Sequence, residues 1–335
     1  MSEAELRRDY LKGETIETIY FGGGTPSLLP PGDLEALLQK IYAVFNISPN
    51  REITIETNPD DISGSVLREW KATGINRLSV GIQSFFDEDL KWMNRAHDAA
   101  QAMDSLKLAV EQFDNITADL IYGTPLLTND KWKRNVDRLF AEGVAHLSCY
   151  ALTVEPRTPL QKLIKEHKTD SVDPDKQSEQ FLLLMQWMEE AGYEHYEISN
   201  FAKPGFRSRH NSSYWQGKKY LGIGPSAHSF NGSSRQWNAA NNNSYIDSIK
   251  KESIPYEQEI LTPTQQINEY IMTSLRTIEG LNLNWIDEVM RPKLRSASEK
   301  FIKREFMFEE DDHLKLTKHG KLLADGIAAE LFFEE

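Results

Sequence analysis

The sequence has 335 residues, 39% of them hydrophobic, and a net charge of −13 from 38 Lys and Arg against 51 Asp and Glu. That is enough chain for two domains and one large core, too apolar for a disordered protein, and too acidic for a general binder of nucleic-acid phosphates. The single cysteine, Cys149, excludes an intrachain disulfide, a Cys-rich zinc site, and an iron–sulfur cluster held by several thiolates within these residues. No apolar run approaches the roughly 18 residues of a spanning helix, and no signal-peptide pattern opens the sequence, so the expected compartment is the cytoplasm.

Over residues 1–200, short β-rich runs alternate with helical patterns. The opening MSEAELRRDYLKG reads as the tail of a helix. Strands are predicted at 16–21, 52–56, 77–81, 116–122, 146–151 and 194–199. Between them, Leu34, Leu37, Leu38, Ile41 and Phe45 repeat at helical spacing. So do Val66, Leu67 and Trp70 before Gly74, Trp132, Val136, Leu139 and Phe140 before Gly143, and Phe181, Leu182, Met185 and Met188 before Gly192. Glycine just past the last apolar position is a helix stop. Strands alternating with helices predict an α/β fold with a parallel sheet, either a whole or partial βα barrel or a doubly wound sheet. Residues 201–255 are rich in Asn, Ser, Gly and aromatics and form a connecting segment. Residues 256–335 predict helices near 264–279 and 293–305, a hairpin in FMFEEDDHLKL and a helix from Thr317, a small domain of winged-helix type. Its ten basic and sixteen acidic residues argue against DNA as its partner.

Chemistry-bearing residues gather where strands end. FGGGTPS, residues 21–27, follows the first predicted strand, and its glycines let backbone N–H groups approach a ligand. Glu56 ends the second strand, Gln83 lies just past the third, Arg95 follows a short helical turn, and Asp119 lies in the fourth. In parallel βα architectures the carboxyl ends of strands converge on one rim. Glycine-turn amides, two carboxylates, an amide and a guanidinium suit a small zwitterionic or ribose-bearing ligand. A second cluster is RSRHNSSYWQGKKY, residues 207–220. Residues 203–219 hold Lys203, Arg207, Arg209, Lys218 and Lys219 and no acid, a local +5. His210, Tyr214 and Trp215 lie inside that stretch. Rings, cations and an imidazole suit a large flat anionic ligand with a central metal, whereas a solvated basic loop needs none. His228, in PSAHSF, is the next candidate imidazole.

The motifs FGGGTPS, IETNPDD, RLSVGIQSF, NRAH and DLIYG, in this order and spacing, resemble the radical S-adenosylmethionine (SAM) enzymes of the oxygen-independent coproporphyrinogen III oxidase group. HNSSYW matches the HNxxYW pattern of that group's HemW subgroup of haem chaperones, and GIGPSAHSF and LTKHGKLLAD are similar to it as well. The resemblance covers nearly the whole chain. It implies a partial parallel βα barrel with a small C-terminal domain, and a haem carrier that serves haem-accepting proteins, including transiently met respiratory membrane proteins, with no nucleic-acid partner and with a homodimer as one assembly. It implies SAM at Gly23, Gly24, Thr25, Glu56, Gln83, Arg95 and Asp119. It implies haem at His210, Asn211, Tyr214 and Trp215, with His210 on the iron. The alternative within the same resemblance is a coproporphyrinogen oxidase of porphyrin biosynthesis. The group carries a 4Fe-4S cluster on three cysteines spaced C-x3-C-x2-C, on a strand before the glycine turn. That strand and those cysteines are absent from the 335 residues, so the expectation is a form lacking the cluster, with weak SAM binding and no SAM cleavage. The first remaining strand, 16–21, is then expected to be an open sheet edge.

Overall fold

The computed structural model describes residues 1–334. Its main sheet has seven strands: β1 (Ile16–Phe21), β2 (Ile47–Thr57), β3 (Arg77–Gln83), β4 (Ile116–Tyr122), β5 (His146–Ala151), β6 (Glu194–Glu197) and β7 (Asn200–Ala202). They lie in the order β1-β2-β3-β4-β5-β7-β6. The β2–β3, β3–β4 and β4–β5 pairs are parallel. Strands covered on both faces read as continuous apolar runs. In β3, Leu78, Val80 and Ile82 are fully buried.

The expected single strand at 194–199 is instead a hairpin. Glu197 Oε2 accepts from Ser199 N at 3.0 Å and from Asn200 Nδ2 at 2.6 Å, which closes a tight turn. β7 then returns antiparallel to β6 and pairs antiparallel with β5. The parallel series therefore ends in an antiparallel edge. β2 begins earlier than its apolar run, because residues 47–51 are half-buried or exposed strand with no alternation to reveal them.

The chain divides into two compact units. One comprises Met1–Ile19, Leu29–Glu52 and the residues from Arg209 onward; the other comprises Tyr20–Leu28 and Ile53–Ser208. Neither is contiguous in sequence, and residues 201–255 fall almost wholly with 256–334 in the first. In the second unit the crossover helices follow the apolar spacing. Ser63 Oγ accepts from Val66 N and opens helix Gly64–Thr73, and Gly74 ends it at φ +103°, a left-handed conformation that costs glycine least. Thr128 and Asp173 cap helices Asn129–Ala141 and Pro174–Glu190 in the same way. Trp132, Val136 and Leu139 are fully buried, and the Trp132 indole N–H donates to Gln180 O at 3.1 Å, fixing the first of these helices on the second.

The first unit holds two three-stranded sheets. β8 (His228–Phe230), β9 (Ser234–Asn238) and β10 (Tyr256–Ile260) pair antiparallel in the order β10-β9-β8. β11 (Leu281–Asn282), β12 (Met307–Glu310) and β13 (His313–Leu316) form the order β11-β13-β12. The acidic turn between β12 and β13 places Asp311 and Asp312 at φ +48° and +58°. Helices Pro263–Leu275 and Arg291–Lys303 bury Ile271, Leu275, Leu294 and Phe301. The helix expected from Thr317 is two short ones, Lys318–Lys321 and Ala324–Glu330, the first capped by Thr317. Among the described residues no helix is long and apolar enough to cross a membrane.

Trp132→Ala empties a fully buried indole site, so we expect a loss of about 3–5 kcal/mol in urea unfolding; a loss below about 1 kcal/mol would show that the two helices are not part of a tightly packed core.

Candidate functional site

The rim of the parallel strands is built from the second unit. β1 runs into a turn in which Gly23 and Gly24 adopt φ +80° and +71°, so their N–H groups turn out of the strand ladder. A Cβ on Gly22 would lie 2.6 Å from Tyr20 Cε1 and 3.0 Å from Glu56 Oε1, so glycine is needed for the turn to sit against that pair. Glu56 is held on both oxygens: Tyr20 Oη donates to Oε1 at 2.9 Å, and Gly23 N donates to Oε2 at 3.1 Å. Burial and the adjacent Glu56 push the Tyr20 phenol far up, so it stays a donor.

The register between β3 and β4 shifts between Val80 and Gln83, and Gln83 takes φ +63°, a conformation rare for a residue with a side chain. Gly81 makes room beneath it. A Cβ there would meet Gln83 Nε2 at 2.9 Å and Arg95 Nη2 at 3.3 Å, so Gln83 and Arg95 flank one backbone position. Arg95 Nη2 donates to Asn58 Oδ1 at 2.7 Å. Asp119 stands in β4 with Ser79 Oγ donating to its Oδ2 at 3.3 Å, while its Oδ1 is sealed from solvent and has no partner. Burial pushes this carboxyl up to about 7, against the lowering by Ser148 and with a further push from Glu56. Thr25 ends the turn, and its carbonyl accepts from Leu28 N at 3.2 Å.

Gly23, Gly24 and Thr25 thus lie in one turn joined directly to Glu56, while Gln83 ends β3, Arg95 follows the short helix Asp87–Trp92, and Asp119 stands midway along β4. Sequence reasoning passed over Tyr20, Asn58, Ser79 and Gly81. Asn58 was within reach because it directly follows the strand-end Glu56 motif. The set brings together groups of the kind a ribose-bearing zwitterion uses: a guanidinium, a side-chain amide and two carboxyl groups. In chemical type these groups are compatible with SAM. They do not fit an iron–sulfur cluster. Cys149 is 1% exposed in β5, its thiol is pushed well up by burial, and among the described residues no group of three or more His, Cys, Asp or Glu could hold a metal ion.

The second cluster belongs mainly to the first unit. Residues Arg209–Trp215 form a short helix. Glu52, at the end of the exposed part of β2, accepts from Arg209 N at 3.2 Å and from His210 N at 3.0 Å. Its carboxylate therefore fixes where the imidazole stands. Both His210 nitrogens are engaged: Nδ1 lies 2.9 Å from Thr18 Oγ1 and Nε2 lies 3.1 Å from Tyr214 Oη. Tyr214 is 39% exposed and meets the Tyr220 ring edge-on at 4.7 Å. Trp215 carries a buried indole N–H without a partner, and the Arg276 guanidinium lies 5.1 Å over its ring. Asn211 is part-buried in the same helix.

The basic stretch is not a bare patch. Arg207 pairs with Glu194 at 2.9 Å, Lys218 with Glu17 at 2.8 Å, Lys219 with Glu14, and Arg209 bonds Asn50 O and lies 3.9 Å from Glu17. Lys203 donates to Ala191 O. A count along residues 203–219 sees only the cations, because two of the three acids, Glu14 and Glu17, lie about 200 positions earlier in the chain.

The fold and rim together define a radical SAM half-barrel. Residues 2–139 match the Radical SAM superfamily. The solved coproporphyrinogen III oxidase (HemN) of Escherichia coli, a radical SAM enzyme, superposes with a TM-score of 0.83 over 99% of this chain and 81% of its own, at 23% identity, and so shares the fold. The heme chaperone HemW of Mycobacterium tuberculosis is 33% identical over 334 residues, 98% of this chain and 84% of that protein. The HemW of Bacillus subtilis is 32% identical over 93% of this chain and 84% of its own. That of Escherichia coli is 31% identical over 97% and 86%. The chain belongs to the HemW heme chaperone family.

Two outcomes follow from this geometry. Because the fold holds the Asp119 proton that an unfolded chain releases near its ordinary 3.8, this group favours folding fully below about pH 4, and that contribution is lost as pH rises towards 7. We expect Asp119→Asn to flatten the fall in urea-measured stability between pH 4 and 7; a slope equal to the parent's would show that the carboxyl titrates normally. Anaerobic reconstitution of the 335-residue chain with iron and sulfide is expected to leave no stable four-iron cluster, and recovery of about four irons per monomer with the matching absorption would contradict this.

Proposed function

We propose that this chain is a haem chaperone of the HemW type that carries haem and passes it to acceptor proteins. The observation that supports it is the relationship to HemW proteins over 98% of the chain, with HNSSYW intact. Coproporphyrinogen oxidation rests on the fold alone, since the HemN likeness is at 23% identity.

In this reading the 209–220 segment meets the haem and His210 ligates the iron through Nε2. The Tyr214 hydroxyl has to leave that nitrogen first. One such hydrogen bond contributes about 0.5–1.5 kcal/mol, and Tyr214 is exposed enough to turn away. Trp215 and Tyr220 offer ring faces to the macrocycle, while Arg209, Lys218 and Lys219 exchange their carboxylate partners for the propionates. Exposed ion pairs are individually weak, typically about 0–1 kcal/mol, so the exchange costs little. An exposed segment also lets the cargo leave, as a carrier requires.

The rim of Gly23, Gly24, Thr25, Glu56, Gln83, Arg95 and Asp119 would hold SAM. In the superfamily SAM supplies a carbon radical when a cluster reduces it. In this chain the part of the rim residues would be to bind and orient SAM.

Haem titration followed at the Soret band tests the carrier reading. We expect saturable binding by the parent chain and an altered band with weaker binding for His210→Ala. An unchanged spectrum and affinity would remove His210 from the iron, and no saturable binding by folded parent protein would end the carrier reading.

A further inference from the structure

The outer face of the β8–β9–β10 sheet carries an aromatic and acidic corner that the haem reading does not use. Alternation along β9 turns Gln236 and Asn238 inwards, where both are buried, and leaves Arg235 and Trp237 on the other face. Register then sets one row across that outer face: His228 stands opposite Trp237, and Trp237 opposite Glu257. The next row, at the end of the sheet, is small. Ser226 N donates to Ala239 O at 3.3 Å, and Ala239 N donates to Pro255 O at 2.8 Å. At this step from large to small side chains lies a cavity of about 530 Å³, lined by His228, Trp237 and Glu257 together with Ser226, Ala239 and Pro255, within the range of small-molecule sites, about 300–1,000 Å³.

Charge narrows the occupant. Glu257 is the one carboxylate in the lining, and no Lys or Arg among the described residues lines it. Trp237 Nε1 donates to Glu257 Oε2 at 3.2 Å, which holds the carboxylate at the edge of the indole, and Oε1 accepts from no described residue. The His228 side chain is exposed, and among the described residues its ring makes no hydrogen bond, so the neutral imidazole has a nitrogen lone pair to give to an N–H. The His228 and Trp237 rings are inclined by 31° with centroids 6.3 Å apart, so no plate lies flat on both and the corner suits a compact group. An anion here would meet Glu257 with no base in the lining to offset it.

Other rings of the same unit already hold cations. On the inner face of this sheet the Arg7 guanidinium lies 4.8 Å over the Tyr256 ring, and the Arg276 guanidinium lies 5.1 Å over Trp215. Arg7 is also 3.8 Å from Glu3, so its charge is matched on its own side of the sheet. Indole is the aromatic surface that attracts a cation best. Yet among the described residues no cation stands over Trp237, although a carboxylate is fixed beside it.

We propose that this corner is a binding site for an organic cation, an alkylated ammonium or a guanidinium on an apolar stem, set against the Trp237 ring and beside Glu257. The ring quadrupole attracts the charge, the carboxylate neutralises it, and Ala239 and Pro255 give the stem an apolar floor. The site is independent of the haem-carrier reading, and neither stands or falls with the other.

The probes are choline, its neutral isostere with a tert-butyl group in place of trimethylammonium, and a capped Gly-Arg-Gly peptide. Each is titrated into the full chain and followed by saturation transfer to the ligand, with the Trp237 indole N–H resonance as reporter in the parent. We expect saturable choline binding that shifts this resonance, and binding of the neutral isostere weaker by about tenfold. Glu257→Gln keeps an acceptor for the indole N–H and loses the charge, while Trp237→Leu keeps an apolar side chain and loses the π face. Each variant, shown to be folded by its thermal transition, is expected to bind choline and the peptide about tenfold more weakly. Tighter binding of the peptide assigns the cation to a partner protein's arginine, and tighter binding of choline assigns it to a free quaternary ammonium. Equal binding of the neutral isostere overturns the proposal. So do affinities unchanged in both variants, and so does the absence of saturable binding of both cationic probes to the folded parent.

Discussion

The candidate rim depends on the parallel register of β2, β3, β4 and β5. Parallel pairing brings all four carboxyl ends to the same side, and the register sets Glu56 opposite Ser79, and Asp119 opposite Ser148. A slip by one residue would turn every side chain to the other face of the sheet. Glu56 would then lose both Tyr20 and the Gly23 amide, and Asp119 would lose Ser79. The apolar residues that pin this register are the fully buried Ile53 and Ile55 of β2, Leu78, Val80 and Ile82 of β3, and Ala118 and Leu120 of β4. Core packing thus positions polar groups that it never touches, and the irregularity at Val80–Gln83 is tolerated where it aims Gln83 beside Arg95.

Much of this was legible in the residues. β-rich runs located β1, β3, β4 and β5 to within a residue or two, since a strand buried on both faces writes itself as an apolar run. The helix stops at Gly74, Gly143 and Gly192 followed from left-handed caps. The strand-end motifs carried enough order and spacing to name the family before any coordinate. What escaped was set by contacts remote in sequence. The turn after Glu197 depends on that side chain folding back on its own backbone, which no alternation pattern encodes. The Glu14, Glu17 and Glu52 partners of the 209–219 segment are separated from it by more than 150 positions. The cavity beside His228 depends on β10 pairing with β9 and on Arg7 reaching Asn238 from 231 positions away.

The same remoteness shows how the first unit is tied together. Its amino-terminal residues end in a buried polar network: Glu3 receives Asn238 Nδ2, Gly224 N and the Tyr245 hydroxyl, and Arg7 bonds both Gln236 and Asn238. With Glu3 and Arg7 at 2% and 5% exposure, removing either would strand its buried partners, a larger penalty than any surface ion pair repays. The first seven residues therefore act as a keystone for β9, although nothing in their composition marks them as more than a helical fragment.

The pairing of Lys218 and Lys219 with Glu17 and Glu14 also bears on how cargo arrives. A bare cluster of cations attracts an anion over about a Debye length, roughly 8 Å at physiological ionic strength, and loses that attraction steeply as salt is added. Cations already clamped by carboxylates project little net field, so in the proposed carrier reading an anionic tetrapyrrole would not be drawn in from a distance but would trade places with Glu14 and Glu17 on contact. Added salt weakens the incoming contact and the resident clamp together, and the two losses offset. On that proposal, capture at this segment would be an exchange reaction, buffered against ionic strength, in which the protein's own carboxylates stand ready to displace the cargo again at hand-over.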